Sequence, residues 1–265
     1  MKSLKIFAPG IASLLIVGVM LVSCTKSFDS KVASQYGLAN SSNVQLFLAT
    51  VGATRNYVYV NSNPVNGAAL TAGSVFPATG YGFSVPTGLA SFLVRDTLTA
   101  TTQTQLSFAE NMQVGKNYTV FVYDTTTAVK QKTVETSIVI PEDTTSRLRF
   151  ANFVYNPGII PAVDIYSKNK AQNIFTNVQV TDITSFIPYQ SNKADTFYIR
   201  STGTTTNLQN YTPPTPPATV GTWSDIYLIL TPTMKRSYTL IFRGGFRAVT
   251  TTNSTVRGLS VFANY

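Results

Sequence analysis

Short runs in which apolar or aromatic residues alternate with small or polar ones recur from residue 44 onward, and their order is given twice. Ser42-Asn43-Val44-Gln45-Leu46-Phe47 lines up with Ser146-Arg147-Leu148-Arg149-Phe150-Ala151 at an offset of 104 residues. Phe92-Leu93-Val94-Arg95 lines up with Phe197-Tyr198-Ile199-Arg200, and Lys116-Asn117-Tyr118-Thr119 with Arg236-Ser237-Tyr238-Thr239, at offsets of 105 and 120. Alternation with a period of two, punctuated by Gly, Pro and Asn, marks half-buried strands. A repeated order of such strands marks two copies of one layered unit.

The expected fold is all-β: two tandem immunoglobulin-like antiparallel β-sandwich domains, 42–141 and 142–265. In the first, strands are expected at Val44–Leu48, Tyr57–Val60, around Tyr81, Phe83 and Val85, at Phe92–Val94, at Leu106 and Phe108, and, after a turn, within Val114–Asp124. A last one is expected to follow Val134, Thr136, Ile138 and Ile140. The growing offset implies an insertion in the second unit at 201–219, where Pro213, Pro214, Pro216 and Pro217 remove the backbone donors that a sheet needs. It reads as an exposed, extended loop. Trp223–Leu230, Tyr238–Phe242 and Val256–Phe262 supply the final strands. No sustained period of 3.6 supports a helical solenoid, and the runs are shorter than the about 9–11 residues of a membrane-spanning strand.

Cys24 is the one cysteine in 265 residues, so no disulfide can form within the body. It closes an uncharged run from Ile6 to Val22 that follows Lys2 and Lys5, the layout of a secretion signal. Leu21-Val22-Ser23-Cys24 resembles the bacterial lipobox, which implies a signal peptide over 1–23, a lipid-modified Cys24 and a polar tether over 24–41. Several acyl chains would hold the body firmly to a membrane, since a single chain is marginal. Thr25 stands where an inner-membrane retention aspartate would stand in enterobacterial lipoproteins, so the resemblance implies the outer membrane of a bacterial cell envelope.

Leu148-Arg149-Phe150-Ala151-Asn152-Phe153-Val154-Tyr155-Asn156-Pro157, followed by Pro161-Ala162-Val163-Asp164-Ile165-Tyr166, is similar to the opening of the domain-of-unknown-function family numbered 4397. Arg149, Phe150 and Asn152 match its first block, and Ala162, Val163, Asp164 and Tyr166 its second. The first unit departs from that pattern, with Gln45 in place of the arginine and no aspartate in Tyr57–Val60. No activity comes with the family. An ion pair between Arg149 and Asp164 on neighbouring strands is the expected structural role of the two charges.

The side chains offer little to catalysis. Histidine is absent, which removes the commonest proton shuttle and the Ser-His-acid triad. With Cys24 acylated, no thiol nucleophile or soft metal ligand remains, and no catalytic, cofactor-binding or metal-ligating residue is expected. Ser167-Lys168-Asn169-Lys170 has serine-x-x-lysine spacing but lacks its companion motifs. The scattered carboxylates form no recognisable pair. The net charge of +9 includes Lys2 and Lys5 and is not concentrated in a stripe, so nucleic acid is not an expected partner. Aromatics are the remaining functional signal: Tyr57, Tyr59, Tyr81, Tyr123, Tyr155, Tyr189, Tyr211 and Trp223 are candidates to stack on sugar rings. The leading expectation is a non-catalytic, lipid-anchored structural or adhesive surface module, with a carbohydrate-binding accessory lipoprotein as the alternative. The partners are then the membrane through Cys24 and a surface protein or glycan.

Overall fold

The computed structural model describes residues 40–78, 82–138, 140–216 and 218–264. The expected signal peptide 1–23, Cys24, the tether as far as residue 39, Tyr81 and Pro217 lie outside the described residues; the tether's expected end at 41 is corrected, because Ser41 is buried and already opens the first strand. Among those described, strands and turns account for the regular structure, with no helix long and apolar enough to cross a membrane.

The first half contains β1 (Ser41–Leu48), β2 (Tyr57–Val60), β3 (Asn63–Pro64), β4 (Val75–Phe76), β5 (Phe83–Pro86), β6 (Gly88–Arg95), β7 (Leu106–Met112), β8 (Asn117–Tyr123) and β9 (Lys130–Glu135). One sheet runs β4-β1-β8-β9, with β5 also paired to β1, and the other runs β3-β2-β6-β7. Alternation sorts the side chains as the pleat requires. Ala90, Phe92 and Val94 of β6 point into a core with Val44, Leu46, Val58 and Val120, while Leu89, Ser91 and Arg95 face outward.

The second half repeats this plan with β10 (Ser146–Tyr155), β11 (Val163–Ser167), β12 (Gln172–Val178), β13 (Ile187–Tyr189), β14 (Asp195–Ser201), β15 (Gln209–Thr212), β16 (Thr222–Asp225), β17 (Tyr227–Leu230), β18 (Ser237–Gly245) and β19 (Gly258–Ala263). Its sheets are β13-β10-β18-β19 and β12-β11-β14-β17. Substituting β1, β2, β6, β7, β8 and β9 for β10, β11, β14, β17, β18 and β19 gives back the order of the first half. The extra element is the β15–β16 hairpin: the stretch 201–219, expected as an exposed loop, contains β15, because Gln209–Thr212 precedes the prolines and keeps the backbone donors that pair it with β16 just beyond the stretch. Two β-sandwiches result, and among the described residues every strand pairing stays within one half.

Neither sandwich is purely antiparallel. β1 runs parallel to β8 and β10 parallel to β18, Phe47 opposite Phe121 and Ala151 opposite Ile241. These strands are buried on both faces, which accounts for their near-continuous apolar sequences. One face of each fills its own sandwich. The other face meets the opposite half: Phe121 stacks on Phe153 at 4.5 Å and Phe47 on Phe262 at 5.6 Å, with Ala49, Ala151 and Ile241 around them. The layers are therefore stacked, with the β2/β6 and β11/β14 sheets outermost, and 40–265 forms one compact unit.

Three local expectations are corrected. The strand sought around Val134 to Ile140 lies earlier, as β9 (Lys130–Glu135), because its pairing with β8 uses Lys130, Gln131 and Lys132, polar side chains suited to a sheet edge. Trp223–Leu230 is two strands broken at buried Ile226, the first belonging to the hairpin. Arg149 and Asp164 do not pair, because β10 and β11 belong to different sheets. Asp164 instead accepts from Asn173 Nδ2 at 2.8 Å, the Asn177 amide at 2.8 Å and Thr202 Oγ1 at 2.6 Å.

Candidate functional site

The catalytic-looking spacing Ser167-x-x-Lys170 proves to be a structural lock. Ser167 is fully buried, and its Oγ contacts Tyr189 Oη at 2.8 Å and donates to Asp195 Oδ2 at 2.5 Å. Tyr189 Oη also donates to Asp195, whose other oxygen accepts the amides of Asn169 at 2.9 Å and Thr196 at 2.7 Å. Lys170 Nζ lies 4.6 Å from the Tyr189 ring centroid. Burial, followed by the hydrogen bond with Asp195, raises the Tyr189 phenol pKa well above its ordinary range. The network ties β11, β13 and β14 together and leaves the serine oxygen buried.

Carboxylates elsewhere are occupied one at a time. Asp225 accepts from Asn207 and Gln209, Asp124 pairs with Lys130 at 2.8 Å, and Glu135 pairs with Lys116 at 2.7 Å. Among the described residues no group of three or more His, Cys, Asp or Glu could hold a metal ion.

The candidate aromatics are dispersed. Tyr57 and Tyr59 lie on the outer face of the β2/β6 sheet, under Arg55 and Arg95 at 5.6 and 5.0 Å. Tyr123 and Tyr155 share a cleft of about 520 Å³ with Asp124, Lys130 and Asn156, at one end of the contact between the halves. Tyr211 and Trp223 are cross-strand partners in the hairpin, ring centroids 5.2 Å apart. Tyr189 is locked inside the second sandwich.

The best-formed aromatic surface uses other residues. Tyr166 on β11 lies opposite Tyr198 on β14, and Tyr198 lies opposite Tyr227 on β17. Register alone builds this ladder, because directly opposed side chains on one face are close neighbours. The ring centroids are 6.5 and 6.2 Å apart and tilted by 48° and 49°. Tyr227 is 54% exposed, and Ile229, two residues along the same edge strand, is 60% exposed. The Arg200 guanidinium sits 3.6 Å from the Tyr166 centroid and is fixed by its Nε donating to Asn207 Oδ1 at 2.8 Å. Asn207 in turn donates to Asp225 at 2.7 Å.

Comparison of the two halves separates what is shared from what is specific. Tyr59 under Arg95 occupies the same place as Tyr166 under Arg200, so the arginine-covered tyrosine is common to both outer sheets. Leu93 and Ser107 stand where the second half has Tyr198 and Tyr227. The ladder is therefore particular to the second half. Its signal in the sequence was the alternation in Val163–Ser167 and Asp195–Ser201, which places these tyrosines outward once the strand pairing is known.

No family model and no curated protein matches the chain. Among solved structures the chain is similar to the CBMbc module, of family CBM26, from Eubacterium rectale Amy13K in complex with maltoheptaose. The identity is 12%, the match covers 84% of this chain and 96% of that one, and the TM-score is 0.25. A likeness at that score carries no argument about function, which rests on the residues themselves.

Proposed function

We propose that this chain is a non-catalytic glycan-binding module of a bacterial cell envelope, tethered by lipid on Cys24. The observation that carries the reading is the Tyr166–Tyr198–Tyr227 ladder on an outward sheet face. Tyrosine rings offer apolar faces to the C–H side of a sugar, and their hydroxyls remain wet. Arg200, held by Asn207, adds a positioned donor for a sugar hydroxyl or acidic group. The row of rings crosses three strands, which suits an extended chain better than a single monosaccharide. Membership of the family numbered 4397 is proposed on Arg149, Phe150, Asn152, Ala162, Val163, Asp164 and Tyr166.

The adhesive reading is favoured by Ile229, an aliphatic side chain beside Tyr227 that offers a sugar no hydrogen bond. A glycan array at matched salt, followed by calorimetry of each hit, separates the two. Saturable glycan binding that falls about tenfold, or about 1.4 kcal/mol, in Tyr198→Ala or Tyr227→Ala with unchanged circular dichroism supports glycan recognition. A silent array with saturable binding of an envelope protein at the same face moves the assignment to adhesion.

A further inference from the structure

Arg149 is 4% exposed and makes no ion pair with any described residue. Its Nε donates to Thr239 Oγ1 at 2.8 Å, and its Nη2 reaches Thr119 and Thr136 hydroxyls at 3.2 Å each. The Phe186 ring centroid lies 4.7 Å from the guanidinium carbon. Nη1 donates to no described residue. Burial lowers the arginine pKa to about 10, so the group stays charged at neutral pH. A buried cation met by hydroxyls and an aromatic ring, with no carboxylate among them, keeps a net charge that no partner neutralises.

The guanidinium borders a cleft of about 380 Å³ between the halves, lined also by Ser137, Thr184, Ser185 and Phe186. Ser137 and Ser185 are exposed, and their hydroxyls bond to no described residue. Glu135, the one carboxylate at the rim among the described residues, is held by Lys116. The equivalent position in the first half shows that bridging the halves needs no charge: Gln45 donates to the Ala263 carbonyl at 2.9 Å and accepts from Asn264 Nδ2 at 3.1 Å.

We propose that Arg149, with the hydroxyls of Ser137 and Ser185, forms a site for a small oxyanion, a carboxylate or phosphate group entering the cleft between the halves. The free Nη1 supplies charge-assisted donors, and the serines supply neutral ones. The site is separate from the tyrosine ladder, so either can fail without the other.

The test is calorimetry of the purified protein with inorganic phosphate and, separately, acetate, at constant ionic strength set with sodium chloride. One saturable site is expected for at least one of the two anions, and the stronger identifies the preferred group. Arg149→Gln, which copies the Gln45 solution, should lose at least tenfold in affinity. Ser185→Glu, a change at an exposed position that leaves Arg149 and its partners in place, should weaken binding about tenfold through like charge. Absence of saturable heat with both anions, or undiminished affinity in Ser185→Glu, overturns the proposal. Tyr198→Ala should leave anion binding unchanged.

Discussion

Gln45 and Arg149 hold equivalent positions on β1 and β10, and each hydrogen-bonds into the opposite half. They are joined through one line of contacts: Arg149 donates to Thr239, Thr239 donates to Asn264, and Asn264 donates to Gln45. Thr119 with Thr136 in the first half mirrors Thr239 with Asn264 in the second. Around this polar seam lie Phe47, Phe121, Phe153 and Phe262. The seam fixes register between layers, and the rings supply apolar burial.

Phe153→Ala should therefore destabilise the protein by about 3–5 kcal/mol, the usual cost of emptying a large aromatic site. Circular dichroism and tryptophan-independent probes of both halves in urea should shift together as one transition. Each half produced alone should unfold at lower denaturant than the joined chain, because each then exposes its share of these rings. An unchanged midpoint in Phe153→Ala would show that the contact contributes no stability.

The Tyr189–Ser167–Asp195 lock predicts alkaline sensitivity. The native phenol pKa is raised above the ordinary 10.0, so the stability it contributes is complete below that value and is lost as pH rises through the native pKa. Tyr189→Phe should flatten this limb in denaturation measured above pH 10 while costing about 1–3 kcal/mol near neutrality, since Asp195 loses a buried donor. Equal alkaline slopes in the two proteins would refute the assignment.

Trp223 is the one tryptophan and is 57% exposed on the hairpin. Its emission should be red-shifted in the native protein, and acrylamide should quench it nearly as well as in urea. A blue-shifted, protected emission would mean that the hairpin docks and buries Trp223.

The lipobox resemblance predicts a processed N-terminus. Intact-mass analysis of membrane-extracted protein should find the chain starting at Cys24 with lipid attached, and Cys24→Ala should leave an uncleaved precursor or a released body. Retention of residues 1–23 beside an unmodified thiol would exclude the tether.

Much of the fold was legible because alternation and punctuation act locally. The repeated strand order points to β-sandwiches, which the fold shows, whereas the drift in offset points to a loop and gives no sign that β15 pairs with β16. Sheet membership is different, since it depends on which strands meet in space. Arg149 and Asp164 sit on consecutive strands, yet those strands part into opposite layers, and the expected pair dissolves. β12 carries no clear signal in the sequence, because Gln172–Val178 mixes Asn and Thr into its pattern and shifts register against β11 near Ile165. The tyrosine ladder was hidden for a related reason. Its three members are far apart in the chain, and only the pairing of β11, β14 and β17 makes them neighbours.

The covalent link between the sandwiches has a consequence for symmetry. Two identical, separate subunits meeting through this seam would carry the same residue at both equivalent positions. Arginine twice would set two cations against each other across a few hydrogen bonds, whereas glutamine twice would leave no charge at all. A duplicated unit within one chain escapes that choice: Gln45 and Arg149 can differ, so of these two equivalent positions only one carries a buried positive charge.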